Sequence, residues 1–254
     1  TFHVKNGLDD PEFQRFEQYY AKCEEDVKNK KAMQRQRRKG ERELREKAKD
    51  EDDTSPHTSP TKKPKEATDE PQYYQSLAAP KNIWIIKPGE NTNRGCGIQV
   101  SKELDHIKGL IQNVNVNGTR RSYIIQKYIE KPLLYKNRKF DIRTFTMMCT
   151  INGNLQGYWY SDGYFRTSCR EFTLKNVSNR FVHLTNDAVQ KKLDDYGKFE
   201  SGNKLSYQEF QKYLDSMKID CDLVKTVIPK MKALAQDSMR AVSRKLDPYR
   251  RAFS

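Results

Sequence analysis

Hydrophobic residues recur at spacings of three and four in the first thirty residues, a period that predicts an amphipathic helix. Asp10 stands at the N-cap position and Pro11 at the first helical position, which is where these residue types are preferred. Beyond residue 27 the apolar stripe stops, and Lys, Arg and Glu dominate. The stripe consists of Phe13, Phe16, Tyr20, Cys23 and Val27.

Two further helices are predicted near the end of the chain. Ser206 and Glu209 have the spacing of a capping box, which starts a helix. We expect its apolar face to be Tyr207, Phe210, Leu214 and Met217. The following stripe predicts a longer helix packed on the core, with Pro229 near its start or at a kink. Its members are Val224, Ile228, Met231, Ala235, Met239, Val242 and Leu246.

Between these helical regions, short runs rich in β-branched and aromatic residues predict strands. The Asn152-Gly153 pair is typical of a hairpin turn between two of them. One further helix is predicted over Lys102–Gln112, so the fold class is α/β (α+β). The predicted strands are Thr1–Val4, Ile83–Lys87, Tyr123–Tyr128, Phe140–Ile151 and Leu155–Tyr160.

Composition divides the chain into segments. Residues 1–27 form a strand and helix segment, and residues 28–80 form a basic, low-complexity linker or insert. Within that insert, the basic run over residues 28–53 is interpreted as a solvated helix or a floppy arm. Residues 51–80 are rich in Ser, Thr, Pro and Lys, which is typical of disorder.

The charge balance points to an acidic partner. The 254 residues carry a formal net charge of +14 and have a mean hydropathy of −1.00. Nucleic acid, an anionic membrane and an acidic protein tail all fit such a charge. Five scattered cysteines without a CxxC pair indicate reduced cytosolic thiols. No apolar run approaches membrane-spanning length.

A lysine at a strand end followed by glycines is the first candidate for binding chemistry. Lys87 precedes a loop that contains Arg94, Gly95 and Gly97. Glycines let backbone N–H groups approach phosphate oxygens, and the two cations attract them. The loop is neither a Walker loop nor a Rossmann fingerprint. The alternative is a glycine-bearing hairpin with a surface lysine.

The second candidate is a charged row on one strand. Lys139, Asp141 and Arg143 alternate with Phe140 and Ile142, so they share one face. Such a row can meet phosphate and ribose. The alternative is a solvated strand face with a cross-strand ion pair.

Two later groups complete the candidates. Arg166 could clamp a carboxylate or acyl phosphate with two hydrogen bonds, or it could be a surface arginine. His183 is interpreted as a structural or nucleotide-contacting histidine rather than a metal ligand, because no second histidine lies at ligand spacing. Thr185 and Asn186 follow it.

In this order the motifs resemble the tubulin tyrosine ligase-like family, over about residues 81–190. The motifs are NIWIIKPGENTNRGCGI, QKYIEKP, KFDIR, DGYFRTS and HLTN. The resemblance implies an ATP-grasp-like, two-lobed fold. Residues 81–130 would be its small lobe and hinge, and residues 131–254 a partial large lobe. We therefore expect the chain to be C-terminally incomplete, since it lacks the Asp and Glu-x-Asn that hold magnesium in the family. Those ligands are expected beyond residue 254.

The resemblance also implies a role for each candidate residue. Lys87, Arg94, Gly95 and Gly97 would contact the ATP phosphates. The hinge whose backbone contacts adenine would be Gln126, Lys127, Tyr128 and Ile129. Lys139, Asp141 and Arg143 would line the ribose and phosphates, and His183, Thr185 and Asn186 would complete the pocket. Arg143 and Arg166 would be catalytic, with Arg166 holding the reacting carboxylate or amino acid.

The implied reaction is an ATP- and magnesium-dependent ligation. A glutamate carboxylate on the acidic C-terminal tail of tubulin would form an acyl phosphate, and the amine of a free amino acid would displace the phosphate. The motif QKYIEKP favours glutamate over glycine or tyrosine as the added amino acid. The protein would associate with microtubules in the cytoplasm, with the cilium, axoneme or basal body as narrower locations, and no membrane partner is expected.

Two other functions stay open. A catalytically inactive relative of the same fold could bind microtubules without modifying them. A basic nucleic-acid-binding protein is the weaker alternative, because the sequence has no recognised nucleic-acid motif and no interleaving of aromatic and basic residues.

Overall fold

The computed structural model describes residues 1–50, 81–89, 93–113, 118, 120–151 and 154–246, and side chains are described except at 45–50 and 246. The chain divides into two compact units. Unit 1 comprises Thr1–Thr92 and Cys96–Pro132, and unit 2 comprises Asn93–Gly95 and Leu133–Ser254. The domain boundaries predicted from composition stay predictions.

Unit 1 is built on a four-stranded antiparallel sheet in the order β1-β4-β2-β3. Phe2 pairs with Ile125, so the N-terminal strand joins a sheet whose other strands lie more than eighty residues later. A helix, α2 (Leu104–Ile111), follows the third strand along the chain and lies within the range predicted for it. The strands are β1 (Phe2–Val4), β2 (Trp84–Pro88), β3 (Gln99–Ser101) and β4 (Tyr123–Lys127).

A forty-residue helix, α1 (Pro11–Asp50), packs its first half on this sheet. Asp10 caps it: one carboxylate oxygen accepts from the backbone N–H of Glu12 at 2.9 Å, and the other from Lys5 and Asn6. The predicted stripe is confirmed, because Phe13 and Phe16 are fully buried with Trp84 in the core of unit 1.

The same helix continues past Val27, the last of its described residues to be buried. All side chains from Lys28 to Leu44 are exposed apart from the half-buried Gly40. The solvated-helix interpretation of the basic run is therefore confirmed for residues 28–44. The disordered insert predicted for residues 51–80 lies outside the described residues.

Unit 2 contains a second antiparallel sheet in the order β10-β9-β6-β5 and a separate hairpin, β7-β8. The single strand predicted over Phe140–Ile151 is wrong. The chain leaves the sheet after Arg143, and the N–H of Tyr160 donates to the carbonyl of Phe145 at the base of the hairpin. The strands are β5 (Leu134–Tyr135), β6 (Arg138–Arg143), β7 (Thr146–Ile151), β8 (Asn154–Trp159), β9 (Tyr164–Glu171) and β10 (Lys204–Leu205).

Two short helices, α3 (Arg180–His183) and α4 (Asp187–Gln190), pack on β9, and α5 (Tyr207–Ser216) follows β10. The capping box of Ser206 and Glu209 is present as predicted. Met217 was wrongly placed on the buried face, since it is the C-cap residue and is 48% exposed.

The last helix begins as a π-helical turn over Leu223–Val227 and continues as α6 (Ile228–Leu246), with Pro229 in its first turn. Ile228 is buried, but Val224 and Val242, assigned to the same apolar face, are exposed. The π-helical turn changes the rotation of the helix, so Val224 leaves the face that Ile228 buries. In the described part of the chain, no helix is apolar and long enough to cross a membrane.

Candidate functional site

In unit 1, the predicted phosphate-binding lysine lies beside the predicted hinge. β2 and β4 run antiparallel with Lys87 opposite Ile124, so Gln126 lies diagonally across from Lys87 on the same face. The Nζ of Lys87 donates to Oε1 of Gln126 at 2.8 Å. Both side chains are half-buried. Gln126 thereby fixes the direction of the lysine, and the ammonium keeps two N–H donors for another acceptor.

The neighbouring hinge residues are held by internal contacts. The Nζ of Lys127 donates to the carbonyls of Lys81 and Ile83 at 3.0 and 3.2 Å and pairs with Glu130 at 2.8 Å. The N–H of Tyr128 donates to the carbonyl of Ile83 at 3.0 Å, and its ring is buried. Ile129 is 70% exposed. These contacts give structural roles to the Lys127 side chain and to the N–H of Tyr128, and the adenine contact of the hinge stays a prediction.

The glycines of the loop occupy conformations that other residues rarely adopt. Gly95 has φ +79°, and a Cβ there would lie 2.9 Å from Oδ1 of Asn186 within unit 2. Arg180 donates to the carbonyl of Gly95 at 2.7 Å. In unit 1, Gly97 has φ +71°, and a Cβ there would lie 2.7 Å from Cγ of Pro88. The glycines are therefore required by close packing, whatever the loop binds. Arg94, next to Gly95, is exposed with φ +56°.

In unit 2, the charged row lies as predicted on one face of β6. Asp141 is in register with Arg166 of β9, and Nη2 of the arginine lies 2.6 Å from Oδ2 of the aspartate. Nε of Arg166 also donates to Oδ1 at 3.1 Å. The hydrogen bond to Asp141 raises the pKa of Arg166 above its ordinary value. The interpretation as a cross-strand ion pair is confirmed. The side chains of Asp141 and Arg166 remain partly exposed, so a ligand can contact them.

The other members of the row have different surroundings. Lys139 is half-buried, and its Nζ donates to the carbonyl of His183 at 2.8 Å. Arg143 is exposed, with its guanidinium 5.5 Å from the centre of the Phe145 ring. The carbonyl of His183 therefore positions Lys139, while Arg143 reaches toward solvent.

His183 itself is almost fully buried. Burial lowers its pKa from 6.5 to about 4, so the ring is neutral near pH 7. Its Nε2 lies 3.3 Å from the carbonyl of Asn176, and Phe172 meets the ring edge-on. Thr185 is buried, and Asn186 is half-buried against Gly95. The ring of His183 packs inside unit 2, which agrees with its interpretation as a structural histidine.

Comparison with known proteins agrees with this arrangement of motifs. The sequence profile of the Tubulin-tyrosine ligase family matches residues 6–254. The chain belongs to this family. The match confirms the predicted resemblance over residues 81–190 and extends it to residues 6–80 and 191–254. The mixture of helices and antiparallel sheets agrees with the ATP-grasp-like fold of tubulin-tyrosine ligases.

Individual relatives carry more specific names. Tubulin glycylase 3B of Drosophila melanogaster is 40% identical over 142 residues, which are 54% of this chain and 18% of the relative. Tubulin monoglycylase TTLL3 of Homo sapiens is 36% identical over 159 residues, 60% of this chain and 20% of the relative. Probable alpha-tubulin polyglutamylase Ttll1 of Tetrahymena thermophila is 32% identical over 143 residues, 54% of this chain and 34% of the relative. The chain thus spans about a fifth of the length of the first two.

The structure also shows a buried ion pair that sequence patterns do not reveal. Arg138 of β6 forms two hydrogen bonds with Glu200, and both side chains are almost fully buried. Thr167 donates to the same carboxylate at 2.9 Å, and Phe199 stacks on the guanidinium at 4.5 Å. This cluster lies in the same sheet as Asp141 and Arg166 and supports the strand that carries them.

The role of Gln190 is a second feature that no local sequence pattern predicts. Its Oε1 accepts from the N–H of Cys169 on β9 at 2.7 Å. Its Nε2 donates to the carbonyls of Phe181 and Leu184, the latter at 2.5 Å. The amide thereby joins β9 to the turn that precedes Thr185 and Asn186.

The described side chains suit an anionic ligand better than a cation. Lys87 in unit 1 and Lys139 and Arg143 in unit 2 are positioned donors of the kind that bind phosphate. In the ranges that the structure describes, no group of three Asp, Glu, His or Cys side chains could hold a metal ion.

Proposed function

We propose that this protein is an ATP-dependent ligase that adds an amino acid to the acidic C-terminal tail of tubulin. Family membership and the names of the relatives support it. The observation that carries the proposal is the partly exposed pair of Asp141 and Arg166, flanked on β6 by Lys139 and Arg143. Positioned cations stabilise the negative charge that develops on phosphoryl and carboxylate groups during such a ligation.

Arg166 is suited to bind a carboxylate of the substrate. Asp141 accepts hydrogen bonds from Nε and Nη2 of Arg166. No described group accepts a hydrogen bond from Nη1. Asp141 thus fixes the plane of the guanidinium while the N–H groups of Nη1 remain for the substrate. A fixed guanidinium plane favours bidentate binding of a carboxylate, which a flexible lysine cannot match.

We propose a phosphate-binding role for Lys87 within unit 1 and, separately, for Lys139 within unit 2. Oε1 of Gln126 orients the Nζ of Lys87, and the carbonyl of His183 orients the Nζ of Lys139. ATP would supply the phosphoryl group that activates the tail carboxylate, and an oriented lysine ammonium has the charge to stabilise phosphate oxygens. The acyl-phosphate intermediate is part of this proposal.

The amino acid that is added separates two versions of the proposal. Glutamate is our prediction from the hinge motif. Glycine is the second candidate, because the names of relatives such as tubulin glycylase 3B and tubulin monoglycylase TTLL3 support it.

One experiment tests both amino acids. The protein, purified from its natural source, is incubated in one mixture with tubulin, ATP and differently labelled glycine and glutamate. ATP-dependent transfer of either label supports ligation and identifies the amino acid. Transfer of neither, by a preparation that binds microtubules, would favour the inactive microtubule-binding relative.

A further inference from the structure

The second half of α1 is a helix without a core to pack on. No described residue after Val27 in this helix is buried, although the helix runs on to Asp50. Isolated helices are marginal in water, so this half depends on its helix-forming composition and on the docked first half. Two pairs at a spacing of four, Arg37 with Glu41 and Lys39 with Glu43, add to it.

The cations of this helix are concentrated on one face. Residues 28–44 contain eight Lys or Arg and two Glu. Lys28, Lys31, Arg35 and Arg38 follow one another at spacings of three and four, so they form one stripe. Arg42 continues the same spacing, and the stripe is then about 21 Å long at 1.5 Å per residue. We call these five residues the basic stripe.

The basic stripe has a cost for the free protein. Lys31 and Arg35 are four residues apart, a like-charge spacing that destabilises a helix. Lys28, Lys31, Arg35 and Arg38 form no ion pair with any described residue. Glu41 and Glu43 pair instead with Arg37 and Lys39, which are not members of the stripe. An acidic partner would remove this repulsion by placing negative charge along the same face.

We infer that the basic stripe of α1 is a docking surface for the acidic tails of tubulin on the microtubule. This rests on the proposed function, which makes tubulin the substrate. Charge complementarity selects the partner: a helix with exposed cations at each turn suits a flexible anionic peptide. Residues 28–44, which contain the stripe, include no aromatic residue for stacking nucleic-acid bases. The stripe would hold the protein on the microtubule independently of the ligation site.

The test is a quadruple variant, Lys28→Gln, Lys31→Gln, Arg35→Gln and Arg38→Gln, in the whole chain. Glutamine keeps the helix propensity, so circular dichroism should be unchanged. The matched control removes four exposed lysines of unit 2 by Lys175→Gln, Lys192→Gln, Lys212→Gln and Lys230→Gln, with the same change in net charge. Co-sedimentation measures affinity for microtubules, for microtubules without tails after subtilisin, and for an unstructured RNA oligonucleotide.

The parent and the control should bind intact microtubules with similar affinity, and the stripe variant about 10- to 50-fold more weakly. Removing the tails should weaken the parent and leave the stripe variant almost unchanged. Equal binding by the stripe variant and the parent would overturn the inference, and so would tighter binding of the parent to RNA than to microtubules. Ligation onto a soluble tail peptide does not need the stripe. If the parent protein did not ligate such a peptide, the proposed function would fail, and the docking inference would still be tested by the microtubule binding.

Discussion

Arg166 lies directly across from Asp141 in the antiparallel pairing of β6 and β9, with Nη2 2.6 Å from Oδ2. Its position is set by the register of two strands rather than by a flexible loop. The side chains retain 20% and 34% of their exposure, so the pair is screened by solvent. Such pairs contribute little to stability, which indicates that its value lies in orientation.

Replacing Arg166 by Gln should therefore abolish ligation while lowering the free energy of unfolding by at most about 1 kcal/mol. Arg166→Lys keeps the charge but loses the planar fork, and we expect a loss of at least about tenfold in kcat/KM. Ligation of a labelled amino acid and urea denaturation measure the two effects. Full activity of the glutamine variant would remove Arg166 from the reaction.

The buried pair of Arg138 and Glu200 should contribute much more to the free energy of unfolding than the pair of Asp141 and Arg166. Glu200→Gln leaves the guanidinium of Arg138 buried without its counter-charge, which costs about 3–5 kcal/mol. The double variant Arg138→Met with Glu200→Leu should recover most of that loss, because it removes both charges. Urea denaturation of the single and double variants checks this. Asp141→Asn serves as the exposed comparison, and a loss for it as large as for Glu200→Gln would contradict the distinction between the pairs.

The buried His183 should make stability depend on pH. Its pKa is about 4 in the folded protein, compared with 6.5 for the free side chain, because burial disfavours the charged ring. The unfolded chain binds more protons between these values, so stability is complete above pH 6.5 and falls as the pH drops toward 4. The full difference is about 3 kcal/mol.

His183→Gln keeps a donor for the carbonyl of Asn176 but does not titrate. The difference in unfolding free energy between parent and variant should therefore change between pH 7 and pH 4, by up to ~3 kcal/mol. Chemical denaturation at several pH values measures it, and other titrating groups cancel in the difference. A difference that is constant with pH would show that the ring is not held neutral by burial.

Lys87→Ala should weaken the binding of ATP by ~1.5–3 kcal/mol, the range for a hydrogen bond to a charged group. Titration with a fluorescent ATP analogue checks it. Lys102→Ala is the control, since Lys102 is exposed and pairs only with Glu103 among the described residues. Equal affinity of the Lys87 variant and the control would exclude Lys87 from the nucleotide site.

Local patterns in the sequence predicted the parts of the fold that depend on neighbours. The capping box of Ser206 and Glu209 and the cap of Asp10 involve residues within five positions of one another. The charged row of β6 follows from strand alternation, which needs no information beyond the strand itself.

Features that depend on distant residues were not predictable in this way. The carboxylate of Glu200 reaches Arg138 from 62 positions away, and no spacing rule connects them. The end of β6 was missed because the run from Phe140 to Ile151 contains no Gly or Pro to mark the break. Residues 144 and 145 separate β6 from β7, so tertiary context overrides local strand propensity at these two positions.

The most direct measurement is the mass of tubulin C-terminal peptides after incubation with the protein purified from its natural source, ATP, magnesium, glycine and glutamate. The proposed function predicts an ATP-dependent increase equal to one or more glycine or glutamate residues on a tail glutamate. The Arg166→Gln variant of the protein should give no such mass increase. Unchanged masses with a parent protein that binds both ATP and microtubules would contradict the assignment of this protein as a tubulin ligase.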